Sequence, residues 1–168
     1  DDIHLTLFLR NKNRLNNKLT RECNIIEGDV LDYRKLTEAI AGKDIVYVNL
    51  AGDLWAMAEN IEKAMTETAV KRVIAISSIG IYDTPLKSVL IPYRKLADVF
   101  ENSNLDYTIL RPAWFTSTNE VDFEITRKGE QERGSVISMK SLATFIASII
   151  HSPQNYIRES LGINKPNS

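Results

Sequence analysis

The sequence predicts an α/β fold built on a doubly wound parallel sheet. Short runs of Val, Ile and Leu alternate along the chain with segments of helical periodicity, which is typical of βαβ units. Most of these runs are apolar without interruption, so we expect their strands to be buried on both faces. The 168 residues, 43% of them hydrophobic, show no shift in composition, so we expect one domain over residues 1–168.

Five segments are predicted to be strands. Each is short, rich in β-branched or other apolar residues and bounded by polar or turn-forming residues. They are Ile3–Leu9, Asn24–Glu27, Ile45–Leu50, Arg72–Ser77 and Tyr107–Leu110. Residues 116–134 are rich in Glu, Arg, Lys, Gly and Thr, and we expect an exposed loop or hairpin there.

Four segments have the apolar spacing of helices. The first has Asp32 as a plausible N-cap and Gly42 as its stop, and the last has Ser138 as a candidate cap and Pro153 beyond its end. The predicted helices run from Asp32 to Ala41, from Leu54 to Thr68, from Tyr93 to Ser103 and from Lys140 to His151.

The first stretch of the chain, Ile3 to Arg10, reads as the second strand of a dinucleotide-binding fold. Such a fold opens with a strand, a tight Gly turn and a helix whose N-terminus receives the pyrophosphate. Residues 1–168 contain no G-x-G-x-x-G segment. We therefore expect a Rossmann-like sheet, N-terminally incomplete, that lacks its first strand, Gly-rich loop and first helix. In the strand order 3-2-1-4-5-6 this would leave the second and fourth strands without their shared neighbour.

The charge balance argues against nucleic acid and anionic membranes as partners. Lys and Arg together number 21 against 22 for Asp and Glu, and both signs are scattered along the chain. No apolar run approaches the roughly 20 residues of a membrane span, no segment resembles a secretory signal, and the single Cys23 cannot form an internal disulfide. We expect a cytoplasmic protein.

Five spaced segments carry a family resemblance. They are residues 7–11 (LFLRN), 28–30 (GDV), 48–52 (VNLAG), 76–82 (ISSIGIY) and 105–114 (LDYTILRPAW). In this order and spacing the chain resembles the atypical short-chain dehydrogenase/reductase superfamily, and within it the NmrA-like, single-domain NAD(P)H-binding proteins. The resemblance implies a dinucleotide cofactor and an oxidoreductase or a related regulator.

Arg10 and Asn11 follow the first predicted strand, where a basic residue would bind the 2′-phosphate of NADP and an acidic one the 2′-hydroxyl of NAD. The guanidinium fork suits phosphate oxygens, so we expect NADP rather than NAD. By residue type alone, Arg10 would more often be a solvated side chain at a strand end. The resemblance places the adenine at Asp29 and Val30, although Gly-Asp is also an ordinary turn sequence.

Three further groups end strands at the same predicted edge. The backbone of Leu50, Ala51 and Gly52 could come close to a nicotinamide ribose. The alternative is that Gly52 simply permits a turn. The resemblance places Ser77 and Ser78 at the end of the fifth strand of the fold. It implies that Ser78 binds the reacting oxygen of the substrate and that Tyr82 completes the pattern Ser-Ser-x-x-x-Tyr. Alternatively, the serine hydroxyls satisfy the loop backbone. The resemblance also places Arg111 and Pro112 beside the nicotinamide and substrate, whereas a structural Arg-Pro turn is an equal alternative.

The tyrosine–lysine dyad of working dehydrogenases is missing. Tyr-x-x-x-Lys places both side chains on one helix face, where the ammonium lowers the pKa of the tyrosine. Tyr93 and Lys95 are only two residues apart, and the positions four before Arg94 and Lys95 are Leu90 and Ile91. Tyr82 is the remaining candidate acid. His4 and His151 are too isolated to form a metal site.

The sequence therefore predicts an NADP(H)-binding oxidoreductase-like protein that reduces a small carbonyl or quinone-like substrate. The alternative is a non-catalytic NAD(P)-binding redox sensor or regulatory protein, which would explain the missing dyad. Exposed strand edges favour a homodimer. The substrate itself is not encoded in any recognisable motif.

Overall fold

The fold is given by a computed structural model that describes residues 3–15 and 19–168. It is an α/β fold whose strands are mostly parallel, as predicted. The strands are β1 (Thr6–Leu9), β2 (Asn24–Glu27), β3 (Ile45–Val48), β4 (Arg72–Ile76), β5 (Asp106–Pro112), β6 (Trp114–Thr116), β7 (Glu124–Arg127), β8 (Val136–Ser138) and β9 (Glu159–Asn164). The α-helices are α1 (Leu19–Glu22), α2 (Tyr33–Ile40), α3 (Leu54–Glu67), α4 (Ile91–Glu101) and α5 (Met139–His151).

The main sheet has five strands in the order β3-β4-β5-β9-β7. Strands β3, β4, β5 and β9 are parallel, and β7 pairs antiparallel with β9 at the edge. Strands β6 and β8 form a small parallel pair of their own. The parallel arrangement brings the carboxyl ends of β3, β4 and β5 to one edge.

Strands β1 and β2 form a separate parallel sheet. In the ranges 3–15 and 19–168, no strand is hydrogen-bonded between β1 and β3. This agrees with the expectation that the second and fourth strands of the fold have no shared neighbour. The two sheets are joined by packing, because Phe8 of β1 and Tyr33 of α2 contact the same apolar cluster as α3.

Two apolar clusters cover opposite faces of the main sheet, as a doubly wound fold requires. Alternate residues of β4 divide between them: Val73 and Ala75 pack with α3 and α4, whereas Ile74 and Ile76 pack with α5. All five residues of β4 are buried, which explains the uninterrupted apolar run in the sequence.

The predicted N-caps of α2 and α5 are confirmed. The Asp32 carboxylate accepts from the backbone of Lys35 at 3.2 Å, and the Ser138 hydroxyl accepts from the backbone of Ser141 at 2.9 Å. Gly42 ends α2 with φ of +73°, a conformation that glycine adopts without steric cost. Among the described residues no helix is both long enough and apolar enough to cross a membrane.

The region after β5 differs from the sequence prediction. Residues 116–134 contain β7, which is paired in the main sheet, and β6, β8 and β9 were not predicted. Strand β9 contributes Leu161 and Ile163 to the core, but its Ser, Gly and Asn residues weaken the strand signal. Two short 3-10 turns, Lys12–Arg14 and Ser88–Leu90, were also not predicted.

Candidate functional site

The predicted site residues lie at or just beyond the carboxyl ends of the parallel strands. Arg10 follows β1, Asp29 follows β2, Leu50 follows β3 and Ser77 follows β4, while Arg111 lies within the last two residues of β5. In open α/β sheets this edge is where ligands bind. The topology therefore places the candidates at the carboxyl edge of the strands, on two separate sheets.

An open depression of about 500 Å³ lies beyond β1 and β2. Arg10 and Lys35 bring two cations to it, and Glu27 and Asp29 bring two carboxylates. Neither cation forms an ion pair among the described residues. The depression thus offers positive groups that are free to meet an anion.

Gly28 lines the same depression as these charged groups. A Cβ atom at this position would stand 2.6 Å from the ring of Phe8 and 3.1 Å from Cδ of Lys35. The Lys35 stem therefore passes close over the glycine backbone, and a larger residue would displace both neighbours. This is a packing reason for glycine here, in addition to the turn chemistry seen in the sequence.

Asn11, Asp29 and Val30 have structural roles at the same end. The Asn11 side chain accepts from the backbone of Asn13 at 3.0 Å, and that of Asp29 accepts from the backbone of Leu31 at 2.9 Å. Val30 is buried, and its carbonyl accepts from the Asn60 amide at 3.1 Å. The turn interpretation of Asp29 is thus realised, and a role of these residues at an adenine stays a prediction.

Leu50, Ala51 and Gly52 connect β3 to α3. Ala51 and Gly52 are exposed, and Leu50 is half-buried against the core. Gly52 has φ of +121°, which favours glycine, and its carbonyl accepts from the backbone of Leu54 at 2.9 Å. The connection therefore presents accessible backbone at the strand edge.

The two serines after β4 differ in environment. Ser77 is buried, and its hydroxyl donates to the carbonyl of Tyr93 at 3.0 Å, which fixes the first turn of α4 to the strand end. Ser78 is half-buried, and its hydroxyl has no hydrogen-bond partner among the described residues. Of the two, Ser78 keeps a hydroxyl available for a ligand.

Tyr82 is half-buried at the centre of a polar cluster. Its hydroxyl donates to Glu101 Oε1 at 2.6 Å and is hydrogen-bonded to Ser160 Oγ at 2.8 Å. Burial, and then the hydrogen bond to Glu101, raise the pKa of Tyr82 well above its ordinary value. A dehydrogenase tyrosine needs the opposite shift, so this environment keeps the hydroxyl protonated. A catalytic role for Tyr82 stays a prediction.

Arg111 is buried beneath the loop that follows β4. Its Nη1 forms an ion pair with Glu132, and its Nη2 donates to the carbonyl of Ser160 at 3.4 Å. Pro112 is buried, and its carbonyl accepts from the backbone of Ile79 at 3.0 Å. Both residues thus support the loop of Ser78 from below, which corresponds to the structural alternative for the Arg-Pro turn.

Tyr93 and Lys95 lie two residues apart in the first turns of α4. The Lys95 ammonium stands 4.8 Å from the centre of the Trp55 ring, on the neighbouring helix α3. No Tyr-x-x-x-Lys pair therefore forms on α4. In the parts of the chain that the structure describes, no three His, Cys, Asp or Glu side chains come together as a metal site.

The family of the chain follows from sequence comparison. The model of a family described as NAD(P)H-binding matches residues 1–153. The chain belongs to this NAD(P)H-binding family. A search of the curated proteins finds no match.

Solved structures similar to this NAD(P)H-binding chain agree with the fold. A Rossmann-fold NAD(P)-binding family protein from Shigella flexneri is 41% identical, with a TM-score of 0.88 over 97% of this chain and 81% of its own. A short-chain dehydrogenase/reductase from Veillonella parvula, solved in complex with NADP, is 26% identical, with a TM-score of 0.89 over 99% and 84%. An anaerobillin reductase from Escherichia coli, at 17% identity and a TM-score of 0.80 over 98% and 86%, shares the fold.

Several residues of the NAD(P)H-binding chain were missed by sequence reasoning. Each of them lies close in space to a predicted site residue, and all but Lys35 are far from that residue in sequence. They are Lys35, Glu101, Glu132 and Ser160. Lys35, three residues after the cap Asp32, had a detectable signal, because α2 begins directly behind the β2 end that carries Asp29. The other three depend on the tertiary fold.

Proposed function

We propose that this NAD(P)H-binding protein is an NADP(H)-dependent oxidoreductase that reduces a small carbonyl or quinone-like substrate. The observation that carries the cofactor preference is the depression beyond β1 and β2, where Arg10 and Lys35 are both free of ion pairs among the described residues. A 2′-phosphate would bring these two cations a dianionic partner, and NAD would bring none.

The residues fit the two ends of such a cofactor. At one end Asp29 keeps a carboxylate oxygen beside Arg10 and Lys35, and at the other the accessible backbone of residues 50–52 and the free hydroxyl of Ser78 lie after adjacent strands. NADPH, when bound, would supply a hydride to the substrate carbon. Ser78 would donate a hydrogen bond to the substrate oxygen, and the proton that this oxygen takes up on reduction would come from solvent water.

A non-catalytic redox sensor is the second candidate, and one observation favours it. The Tyr82 hydroxyl is bonded to Glu101, and its pKa is raised rather than lowered. The protein would then bind NADP(H) and report its redox state without a proton donor of the usual kind. Both candidates share the cofactor site and differ only in turnover.

The cofactor preference is tested with variants of the two cations. We expect Arg10→Ala and Lys35→Ala each to weaken the affinity for NADPH about tenfold or more, because a charge-assisted hydrogen bond is worth about 1.5–3 kcal/mol. The affinity for NADH should stay within about twofold of wild type. Fluorescence titration of both cofactors measures this.

Arg34→Gln is the matched control, because Arg34 neighbours Lys35 in the first turn of α2 but is 92% exposed and paired with Glu38. It should leave both affinities unchanged. Equal losses for NADPH and NADH in Arg10→Ala would contradict the assignment of the 2′-phosphate.

Turnover distinguishes the enzyme from the sensor. NADPH oxidation is followed with a panel of quinones and aldehydes, using wild type and Ser78→Ala. Turnover that falls at least tenfold in Ser78→Ala supports the reductase. Tight NADPH binding with no turnover on any substrate supports the sensor.

We also propose a homodimer in the cytoplasm and membership of the NmrA-like subtype. The dimer is supported by one edge of β1 and one edge of β3 that pair with no further strand among the described residues. Light scattering coupled to size exclusion gives the oligomeric state directly, and a monomer at micromolar concentration would contradict this proposal.

A further inference from the structure

One side chain, that of Glu132, links the connection between β7 and β8 to the loop that carries Ser78. The backbone N–H of Gly80 donates to Glu132 Oε2 at 2.9 Å, and Glu132 Oε1 pairs with Arg111. Gly80 has φ of +79° and stands two residues after Ser78. Glu132 therefore contacts both the candidate catalytic loop and the strand beneath it.

This contact is shielded from solvent. The side chains of Arg111 and Glu132 are 3% and 15% exposed, respectively. Among the described residues Glu132 is the carboxylate paired with Arg111, whose Nε has no hydrogen-bond partner. Loss of either partner alone would leave an uncompensated charge in a largely buried position, so we expect the pair to stay together in the folded protein.

The backbone opposite Glu132 leaves room for it. A Cβ atom on Gly162 of β9 would lie 3.4 Å from Glu132 Oε1, at van der Waals contact, so the β9 backbone packs close to the carboxylate. Sequence reasoning placed Glu132 in an exposed loop or hairpin. Glu132 does lie in the connection between β7 and β8, but its side chain is largely buried between Arg111 of β5 and the backbone of β9.

A second ion pair links the connection between β7 and β8 to α4, beside Tyr82. Lys128 Nζ lies 2.8 Å from Glu101 Oε1 and 4.5 Å from the centre of the Tyr82 ring. The Arg111 guanidinium lies 5.1 Å from the centre of the same ring. Residues 128 and 132 thus both reach the cluster around Tyr82, four residues after Ser78.

We propose that Glu132 is a positioning residue for Ser78. By accepting from Gly80 and pairing with Arg111, it fixes the loop after β4, so that the Ser78 hydroxyl is held where a reacting oxygen would bind. This inference rests on the proposed function for the role of Ser78. The tether, which is the link from Gly80 through Glu132 to Arg111, is independent of any cofactor.

The tether is tested by amide hydrogen exchange of the protein without cofactor. In Glu132→Ala we expect Gly80 to exchange at least tenfold faster than in wild type, while Val73 and Ile74 of β4 keep their protection. Glu132→Gln, which retains an acceptor for Gly80, should recover most of the protection. Glu130→Ala is the control, because Glu130 accepts from the backbone of Arg127 in the same connection and does not contact the loop.

Positioning is tested by separating cofactor affinity from turnover. We expect Glu132→Ala to lower kcat at least tenfold with a quinone substrate and to leave the Kd for NADPH within twofold. Unchanged Gly80 exchange in folded Glu132→Ala would overturn the tether, and faster exchange with unchanged kcat would overturn the positioning of Ser78.

A double variant keeps the tether testable if Glu132→Ala does not fold. Arg111→Met combined with Glu132→Leu removes both charges together and leaves no unpaired ion. It should show the same fast exchange at Gly80. If wild type turns over no substrate, the proposed function fails, and the exchange of Gly80 still decides the tether.

Discussion

Tyr82 shows how a residue of the expected type can have an unexpected environment. Its ring lies within 4.5–5.1 Å of the cationic groups of Arg94, Arg111 and Lys128, measured to the ring centre. Its hydroxyl nevertheless bonds to a carboxylate, and desolvation adds to that effect. The cations lie over the face of the ring, and the pKa of the hydroxyl rises because burial and Glu101 prevail.

The raised pKa of Tyr82 predicts a loss of stability at alkaline pH. The folded state keeps this proton above the ordinary pKa of 10.0, where the unfolded state releases it. The free energy of unfolding therefore falls as pH rises above about 10, by on the order of 1 kcal/mol for this group after allowance for its partial exposure. Urea unfolding of wild type and Tyr82→Phe at about pH 9 and 11 measures it, and the variant should lose less.

Tyr93→Phe is the control, because the Tyr93 hydroxyl has no hydrogen bond among the described contacts. It should follow the wild-type curve. An alkaline loss in Tyr82→Phe as large as in wild type would assign the effect to other groups.

The predictability of single site residues depends on where their partners lie. Arg10, Asp29 and Ser78 could be proposed because each lies within two residues of a strand end, and parallel strands bring such positions to one edge. Glu132 lies 52 residues after Gly80, and no local pattern connects them. The role proposed for Glu132 therefore depends on contacts that only the folded chain shows.

At the scale of elements, the edge pair β7 and β9 contains a close side-chain packing. Thr126 stands directly opposite Gly162 in the antiparallel register. The Thr126 hydroxyl is buried without a hydrogen-bond partner, and it occupies the space that a Gly162 side chain would need. The glycine thus serves packing across the pair of strands.

This packing predicts a coupled effect of two substitutions. Gly162→Ala should lower the free energy of unfolding by about 1–3 kcal/mol through overpacking. Adding Thr126→Ala should restore at least half of that loss, because the clashing hydroxyl is gone. Urea unfolding of the two single variants and the double variant forms the cycle, and simply additive effects would contradict the packing.

The strands on the N-terminal side of β5 and the four longer helices were predicted well, whereas the strands after β5 were not. Buried parallel strands such as β4 have long apolar runs, and α2 and α3 begin at Asp caps that are visible in the sequence. Strands β6 and β8 have three residues each, and β9 includes Ser160, Gly162 and Asn164. Their strand conformation comes from pairing partners rather than from local propensity.

At the scale of the whole molecule, Arg72 joins the amino end of the main sheet to the segment after α5. The guanidinium donates to the carbonyls of Pro153 and Asp106, each at 2.7 Å, and to that of Asn155 at 3.1 Å. It also donates to Thr108 Oγ1 at 2.8 Å. This buried arginine lies at the end of the sheet opposite the candidate site.

Arg72→Met should therefore lower stability without changing cofactor affinity. We expect a loss of more than about 3 kcal/mol in the free energy of unfolding, because several buried acceptors lose a charged donor. Chemical denaturation measures the loss, and NADPH titration of the folded variant should match wild type. The exposed Arg34→Met should stay within about 0.5 kcal/mol, and an equal effect of both variants would contradict the role of Arg72.

The separate pairing of β1 with β2 affects what a bound ligand would connect. In the described ranges these strands share no backbone ladder with the main sheet, and they contact it through side chains such as Phe8. A ligand reaching from Arg10 to Ser78 would bridge the two sheets, and its affinity would therefore depend on how they pack against each other.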